Sequence, residues 1–293
     1  MSSPRAKLRI ATRGSQLART QSAWVARKIS EAHAGHAGGV DCELVIVTTR
    51  GDTDTGVPLT AFPEQGIFTK AVQDAVRDGR ADAAVHSLKD LPTGTPDGLV
   101  LGAIPERADP SDALVSRHPG GVAGLPDGAD VGTGSPRRQA QLLDLRRDLL
   151  VTPVRGNIDT RIAKVANGDV DAVVLAAAGL TRLGRADEIS EILGFVPAPG
   201  QGALGVECRA DDARTIEILE AVDDETARVE ATTERVWLAT TGAGCHTTAA
   251  ARAVKHDSEV ELTWFYDGRR GSGRAHLDDA AALARAEGER ALS

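Results

Sequence analysis

Short apolar runs along this chain end at glycine, arginine or serine and hand over to segments with helical spacing. Leu8-Arg9-Ile10-Ala11-Thr12 has a strand pattern, and beyond Arg13-Gly14-Ser15 the residues Leu17, Trp24, Val25 and Ile29 recur at helical spacing. A second strand is predicted over residues 43–48, leading into Arg50-Gly51-Asp52, then a loop punctuated by Pro and Gly to about Gly66, then a helix over 67–77. Small and β-branched residues from Ala81 to Val85 read as a short buried strand. Pro92 cannot donate to a ladder, so Lys89 and Asp90 fall where strand becomes loop, the place where open α/β sheets build their sites. After a strand over 99–104, the paired prolines of Pro105-Glu106-Arg107-Ala108-Asp109-Pro110 mark a crossing into a second lobe.

That lobe repeats the opening logic. Val131-Gly132-Thr133-Gly134-Ser135-Pro136-Arg137-Arg138 is a short strand, glycines that admit a ligand, a Ser, a Pro suited to a first helical turn, and two arginines. A strand over 151–154 delivers Arg155-Gly156-Asn157 to a helix bearing Arg161, and 171–175 is a buried strand. The chain returns through Pro197-Ala198-Pro199-Gly200-Gln201-Gly202, closes the first lobe with a strand over 203–208, and begins a C-terminal domain with a helix over about 224–238. The pattern predicts an α/β protein with a discontinuous first lobe (1–105 and 201–218), a second lobe (106–200) and a small α+β C-terminal domain (219–293).

Composition narrows the function. The 293 residues are 41% hydrophobic and 26% charged, ordinary for a globular protein with sizeable cores, and a formal charge of −8 with no dense Lys/Arg run argues against a nucleic-acid binder. No apolar segment approaches the roughly 20 residues needed to span a bilayer, and residues 1–9 lack the apolar core of a signal peptide, so no membrane partner and a cytoplasmic location are expected. Cys42, Cys208 and Cys245 show no metal-ligand spacing, which fits reduced thiols and no metal site. Neither a Walker loop nor a dinucleotide fingerprint is present.

The candidate chemistry lies in a recurrence. Arginines fall at strand ends or first helical turns at 13, 50, 137, 138, 155 and 161, positions that share one edge if the sheets are parallel. Guanidinium is a planar, bidentate partner for carboxylate, so the pattern asks for a small polycarboxylate. Ser15 reads equally well as a helix N-cap or as part of an anion cradle. Asp90 would stay ionised there and could hold a cation or move a proton. Cys245, in Gly242-Ala243-Gly244-Cys245-His246, is either a thiol that another molecule can reach or a thiol buried in a tight turn.

Taken together and in order, Arg13–Ala18, Thr49-Arg50-Gly51-Asp52, Val85 to Pro92, Gly132 to Gln139, Arg155 to Arg161, Asn167 to Gly184, Pro199 to Gly205 and Gly244-Cys245 resemble the hydroxymethylbilane synthase, or porphobilinogen deaminase, family. The resemblance implies two lobes like a type II periplasmic binding protein and a third domain whose cysteine, here Cys245, holds a dipyrromethane cofactor as a thioether. It implies a transferase of porphyrin and heme biosynthesis, a cytoplasmic monomer that polymerises four porphobilinogen molecules with loss of ammonia into a linear tetrapyrrole. By position, Asp90 and Lys89 would be catalytic, with Asp90 steadying an azafulvenium-like cation. Ser135, Thr133, Arg137, Arg138 and Arg161 would hold the cofactor, and Arg13, Ser15, Arg155, Gln201 and Phe68 the substrate.

The chain departs from the family pattern at Ala61 and Gln65, where lysines are usual, at Lys70-Ala71 in place of Lys-Glu, and at His246-Thr247-Thr248-Ala249. These departures predict weak activity with porphobilinogen. They also leave two alternatives: a paralogue deaminating another small carboxylate-bearing substrate, and a two-lobe anion-binding protein without catalysis, which would explain neither Asp90 nor Cys245.

Overall fold

The computed structural model describes residues 6–34, 39–48, 69–244 and 247–293. Arg50, Ala61, Gln65, Phe68 and Cys245, all singled out above, lie outside the described residues. The chain divides into two compact units, Met1–Arg107 with Ala203–Arg228, and Ala108–Gly202 with Val229–Ser293.

In the first unit, strand β1 (Ala6–Arg13) sends Leu8 and Ile10 into the core and pairs in parallel with β2 (Val40–Val47) and β3 (Ala83–Ser87). Helix α1 (Gln16–Ala32) covers one face through Val25 and Ile29, where Ala83 and Val85 also point. Helix α2 (Lys70–Arg77) covers the other through Val72, Ala75 and Val76, against Ala11 and Ala84. Covered on both sides, β3 is buried without alternation from Ala83 to His86, and its apolar residues are the small Ala83, Ala84 and Val85. Strand β4 (Leu99–Ala103) pairs with β10 (Leu204–Arg209), which follows the second lobe in the chain and inserts antiparallel beside β3, giving the order β2-β1-β3-β10-β4.

The second unit holds β5 (Asp112–Ser116), β6 (Asp130–Gly132), α3 (Pro136–Leu145), β7 (Leu150–Thr152), α4 (Ile158–Ala166), β8 (Ala172–Ala176), α5 (Ala177–Arg182) and β9 (Glu191–Leu193), in the sheet order β7-β6-β8-β5-β9. β6, β7 and β8 are parallel, whereas β5 runs antiparallel to β8 and to β9. The sheets are therefore mixed and not uniformly parallel. One consequence matters for the site: the edge where β6, β7 and β8 end is the edge where β5 begins, with Asp112 opposite Ala176.

A long helix α7 (Glu225–Thr241) follows α6 (Ala213–Glu220), and the antiparallel sheet β11 (Ala249–His256), β12 (Glu259–Tyr266) and β13 (Arg269–His276) is closed by α8 (Ala280–Leu292). Trp237, fully buried, stacks on Trp264 at 6.4 Å between centroids. Asp267-Gly268 turns β12 into β13 with both residues at positive φ, the twist-matched hairpin geometry. Glu234, wholly buried, accepts from the N–H groups of Gly200 (2.7 Å) and Ala253 (2.9 Å) and so ties the returning crossing to β11. The architecture is α/β with two five-stranded lobes, the first discontinuous, and a small α+β C-terminal part, as the sequence predicts.

Gly202 lies in that crossing at φ +83, where an added Cβ would sit 2.3 Å from the Ala108 carbonyl oxygen. Gly202→Ala is therefore expected to cost more than about 1 kcal/mol, since both the backbone angle and the rigid neighbour oppose it. Urea unfolding of the two proteins checks this, and equal midpoints would contradict it.

Candidate functional site

In the first unit, β1 ends at Arg13 and the chain turns into α1. Ser15 is the N-cap of that helix, its Oγ accepting from the Ala18 N–H at 3.3 Å, and Thr12 Oγ1 donates to the Ala18 carbonyl at 3.2 Å. The parallel neighbour β3 ends at the same edge in a single 3-10 turn, Leu88–Asp90. Buried Leu88 anchors that turn, its N–H donating to the Ala203 carbonyl at 3.0 Å, and leaves Lys89 and Asp90 exposed. No described group donates to the Asp90 carboxylate, so its acceptor capacity is unspent. Beside the turn, Gln21 Nε2 donates to Ser87 Oγ at 3.1 Å, fixing the strand end to α1.

In the second unit, β6 ends at Gly132, where a Cβ would meet Val154 Cγ2 at 2.6 Å. Thr133 is buried, and its Oγ1 accepts from the Ser135 N–H at 3.2 Å. Ser135 then caps α3 by accepting from the Arg138 N–H at 3.4 Å, with Pro136 at the first helical position. The first turn of α3 carries Arg137 and Arg138 inward, at 4% and 6% exposure.

Both meet Asp112, whose side chain is fully buried at the start of β5. Its Oδ2 accepts from Arg137 Nη1 at 2.5 Å, and its Oδ1 from Arg138 Nε at 2.9 Å and Gln201 Nε2 at 2.9 Å. Burial acts to raise the Asp112 carboxyl, but the two guanidiniums and the Gln201 amide outweigh it and hold the group well below the carboxylate range. Burial pushes the Arg137 guanidinium down from its usual value, and the Asp112 charge opposes this.

Arg155 is exposed after β7, and Asn157 caps α4 through Oδ1 to the Thr160 N–H at 2.8 Å. Arg161, in the first turn of α4, donates from Nε to the Gly156 carbonyl at 2.9 Å and has no carboxylate partner among the described residues. Burial lowers its pKa, and the like charge of Arg138 adds to the effect. Arg182, at the end of α5, donates from Nη2 to the Gly202 carbonyl at 2.7 Å, and burial pushes it down to about 10.

The structure thus gathers Thr133, Ser135, Arg137, Arg138, Arg161 and Gln201 in the second unit, and Arg13, Ser15, Lys89 and Asp90 along one sheet edge of the first. Two residues were not singled out by the sequence. Asp112 opens a strand whose antiparallel direction the pattern did not reveal. Arg182 is a helix-terminal arginine whose burial is set by tertiary packing. Arg137 and Arg138 share one buried carboxylate, Asp112, while Arg161 and Arg182, both lowered by burial, have no carboxylate partner among the described residues. A surplus of buried positive charge is costly unless an anion joins it, and oxyanions with more than one carboxylate suit this donor set. A group such as dipyrromethane, with four carboxylates, fits it. Among the described residues no His, Cys, Asp or Glu cluster could hold a metal, and no helix is long and apolar enough to cross a membrane.

The chain is similar to known proteins over most of its length. A family model described as "Porphobilinogen deaminase, dipyromethane cofactor binding domain" matches residues 8–217. Porphobilinogen deaminase of Nitratidesulfovibrio vulgaris is 48% identical over 251 residues, covering 85% of this chain and 78% of that one. The porphobilinogen deaminase of a Roseiflexus species is 44% identical over 282 residues, covering 94% and 92%. Among solved structures, the chain is similar to the methionine-binding protein MetQ, with TM-score 0.48 and 12% identity over 76% of this chain and 92% of that one. From the match over residues 8–217 and these identities, the chain belongs to the porphobilinogen deaminase family.

Proposed function

We propose that this chain links four porphobilinogen molecules head to tail into linear hydroxymethylbilane, working on a dipyrromethane attached as a thioether to Cys245. The observation that carries the reading is a surplus of buried guanidinium in the second unit: Arg137 and Arg138 share the single carboxylate of Asp112, and Arg161 and Arg182, both lowered by burial, have no carboxylate partner among the described residues. Such a surplus binds pyrrole acetates and propionates and would be a liability in a protein with no polyanionic ligand.

Each addition removes ammonia from the aminomethyl group of porphobilinogen, forms one carbon–carbon bond to the α-carbon of the preceding pyrrole, and returns that carbon's proton to solvent. The bound dipyrromethane supplies the first such α-carbon. Asp90, with its acceptor capacity unspent, hydrogen-bonds the pyrrole N–H of the incoming unit and stabilises the cation left when ammonia departs. Lys89 beside it bears on a substrate carboxylate and helps deliver the proton that ammonia carries away. Arg13, Ser15 and Arg155 hold substrate carboxylates, with Phe68 packing beside the ring, whereas Gln201, buried and giving both Nε2 hydrogens to Asp112 and the Pro110 carbonyl, acts through Asp112 and not on a substrate carboxylate. Thr133, Ser135, Arg138 and Arg161 hold those of the cofactor, with Arg137 behind them. We assign residues 219–293 as the domain that carries Cys245, and take the protein to act as a cytoplasmic monomer without nucleic-acid partners.

The reading is tested by incubating purified protein with porphobilinogen, following its consumption and measuring porphyrin absorbance after acid oxidation of the product. Consumption without tetrapyrrole would favour a different deaminase. No consumption by cofactor-loaded protein would overturn the assignment.

Arg161→Leu is expected to slow turnover and stall growth at a partial length, since it removes a charge-assisted bond worth about 1.5–3 kcal/mol. Mass spectra of enzyme–intermediate complexes read this out, and an unchanged distribution of intermediates would count against Arg161. Ala61 and Gln65 replace two family lysines, each worth about 1.5–3 kcal/mol if engaged with carboxylate. Ala61→Lys/Gln65→Lys is therefore expected, with both lysines engaged, to raise kcat/KM for porphobilinogen by about a hundredfold or more, at about 1.4 kcal/mol per factor of ten. No change in kcat/KM would mean that lysines at these positions are solvated.

A further inference from the structure

We infer that Asp112 is a positioning residue that divides the adjacent arginines into a brace, Arg137, and a presenting group, Arg138. The inference rests on the reading that the arginines of the second unit bind carboxylates. Consecutive residues on a helix do not normally face the same way, yet Arg137 and Arg138 converge on one buried carboxylate.

The donors divide unequally. Arg137 spends both Nη1 hydrogens, on Asp112 Oδ2 at 2.5 Å and on the Val196 carbonyl at 2.9 Å, and one Nη2 hydrogen on Asp112 Oδ1 at 3.2 Å. Val196 is itself clamped by Gln141, whose Oε1 accepts from the Val196 N–H at 2.8 Å while its Nε2 donates to the Val196 carbonyl at 3.0 Å. Arg137 is thus fixed on two sides. Arg138 turns its Nε–H to Asp112 Oδ1 at 2.9 Å, with Nη2 2.8 Å from the same oxygen, and one Nη1 hydrogen to the Val174 carbonyl at 3.0 Å. One Nη1 and one Nη2 hydrogen stay uncommitted, the paired geometry that a carboxylate takes. The Arg138 charge also lies close enough to Arg161 to act on it.

Gln201 completes the arrangement, bonding both Asp112 Oδ1 at 2.9 Å and the Pro110 carbonyl at 2.6 Å, so the carboxylate cannot swing away from β5. Without the negative charge, two desolvated guanidiniums would repel each other, and Arg138 would leave its place.

Two substitutions separate position from charge. Asp112→Glu keeps the charge and moves it by one methylene, whereas Asp112→Asn keeps the shape and removes the charge. For Asp112→Glu the inference predicts dipyrromethane loading slowed about tenfold or more, the loss of one well-placed charged bond to a cofactor carboxylate, with a smaller change in the KM for porphobilinogen of the loaded fraction. Loading within about twofold of the wild-type rate, followed by intact mass, would overturn it. A second readout needs no activity: the Arg138 Nε–H in 15N-arginine NMR should exchange slowly in wild type and rapidly in Asp112→Glu, and continued protection would contradict the inference.

Stability against pH gives the third. The Asp112 carboxyl is depressed in the fold, so its contribution is present above the unfolded value of about 4 and is lost as pH falls through the folded value. Asp112→Asn, if it folds, should lose stability at neutral pH and show a shallower acid dependence, and an identical acid dependence would contradict the inference. If wild type consumes no porphobilinogen, the functional reading fails, while the NMR and acid-stability results still decide the role of Asp112.

Discussion

Purified Asp90→Asn is expected to fold, to carry its cofactor, and to turn over porphobilinogen about 10² to 10⁴ times more slowly than wild type, the usual worth of a positioned acid–base group. The substitution removes a charge at nearly constant shape. Asp90 is exposed and receives no hydrogen bond from the described residues, so its unfolding free energy should stay within about 0.5 kcal/mol of wild type. What the variant lacks is a negative partner for the positive charge that develops when ammonia leaves, an interaction stronger in the transition state than in the bound substrate. The deficit should therefore sit in kcat and not in KM. Steady-state kinetics with a thermal melt decide the matter. Near-normal turnover would leave Asp90 as an ordinary loop acid and reduce the site to a binding site.

Replacing Cys245 is expected to have the larger effect. Cys245→Ala should purify without an adduct and show no tetrapyrrole synthesis above background, because chain growth then loses its anchored acceptor. The advantage of a tethered reactant over a free one reaches an effective molarity of about 10⁵ M or more, which no free pyrrole concentration replaces. Added hydroxymethylbilane or preformed dipyrromethane should not restore activity, since neither can form the thioether. Tetrapyrrole formation by Cys245→Ala at wild-type rate would remove Cys245 from the mechanism.

Strand ends and helix starts were legible because their chemistry is local. Leu8 and Ile10 against Lys7 and Arg9 set the face of β1; Ser15, readable as an N-cap, accepts from the Ala18 N–H, and Ser135 and Asn157, also oxygen-bearing residues before helical patterns, accept from the Arg138 and Thr160 N–H groups. The Ala83–Ser87 strand was legible from its small residues and from Pro92, and it delivers Lys89 and Asp90 to the sheet edge.

Strand direction was not legible. Nothing in Asp112-Ala113-Leu114-Val115-Ser116 distinguishes an antiparallel strand from a parallel one, yet direction alone decides that Asp112, and not Ser116, reaches the edge with the arginines. Burial of charge was hidden for a related reason. Arg137 and Arg138 read as surface residues one by one, and become buried only because an acid 25 residues earlier in the chain and a glutamine from the returning crossing meet them. The sequence predicts the C-terminal part only as a small α+β domain: Asp267-Gly268 follows the strand formers of β12 and is a hairpin signal, but Arg269–His276 carries no β-branched residue and no Phe, Tyr or Trp to mark the third strand.

The central claim is that this chain builds a tetrapyrrole on a group it carries covalently. Intact-protein mass spectrometry, before and after limiting porphobilinogen, tests that claim most directly. The account predicts a starting mass above that of the sequence by one dipyrromethane, mapped to Cys245, followed by a ladder of heavier species spaced by one porphobilinogen less ammonia that collapses to the starting mass as product leaves. A protein that consumes porphobilinogen while its mass remains that of the bare sequence throughout would contradict it.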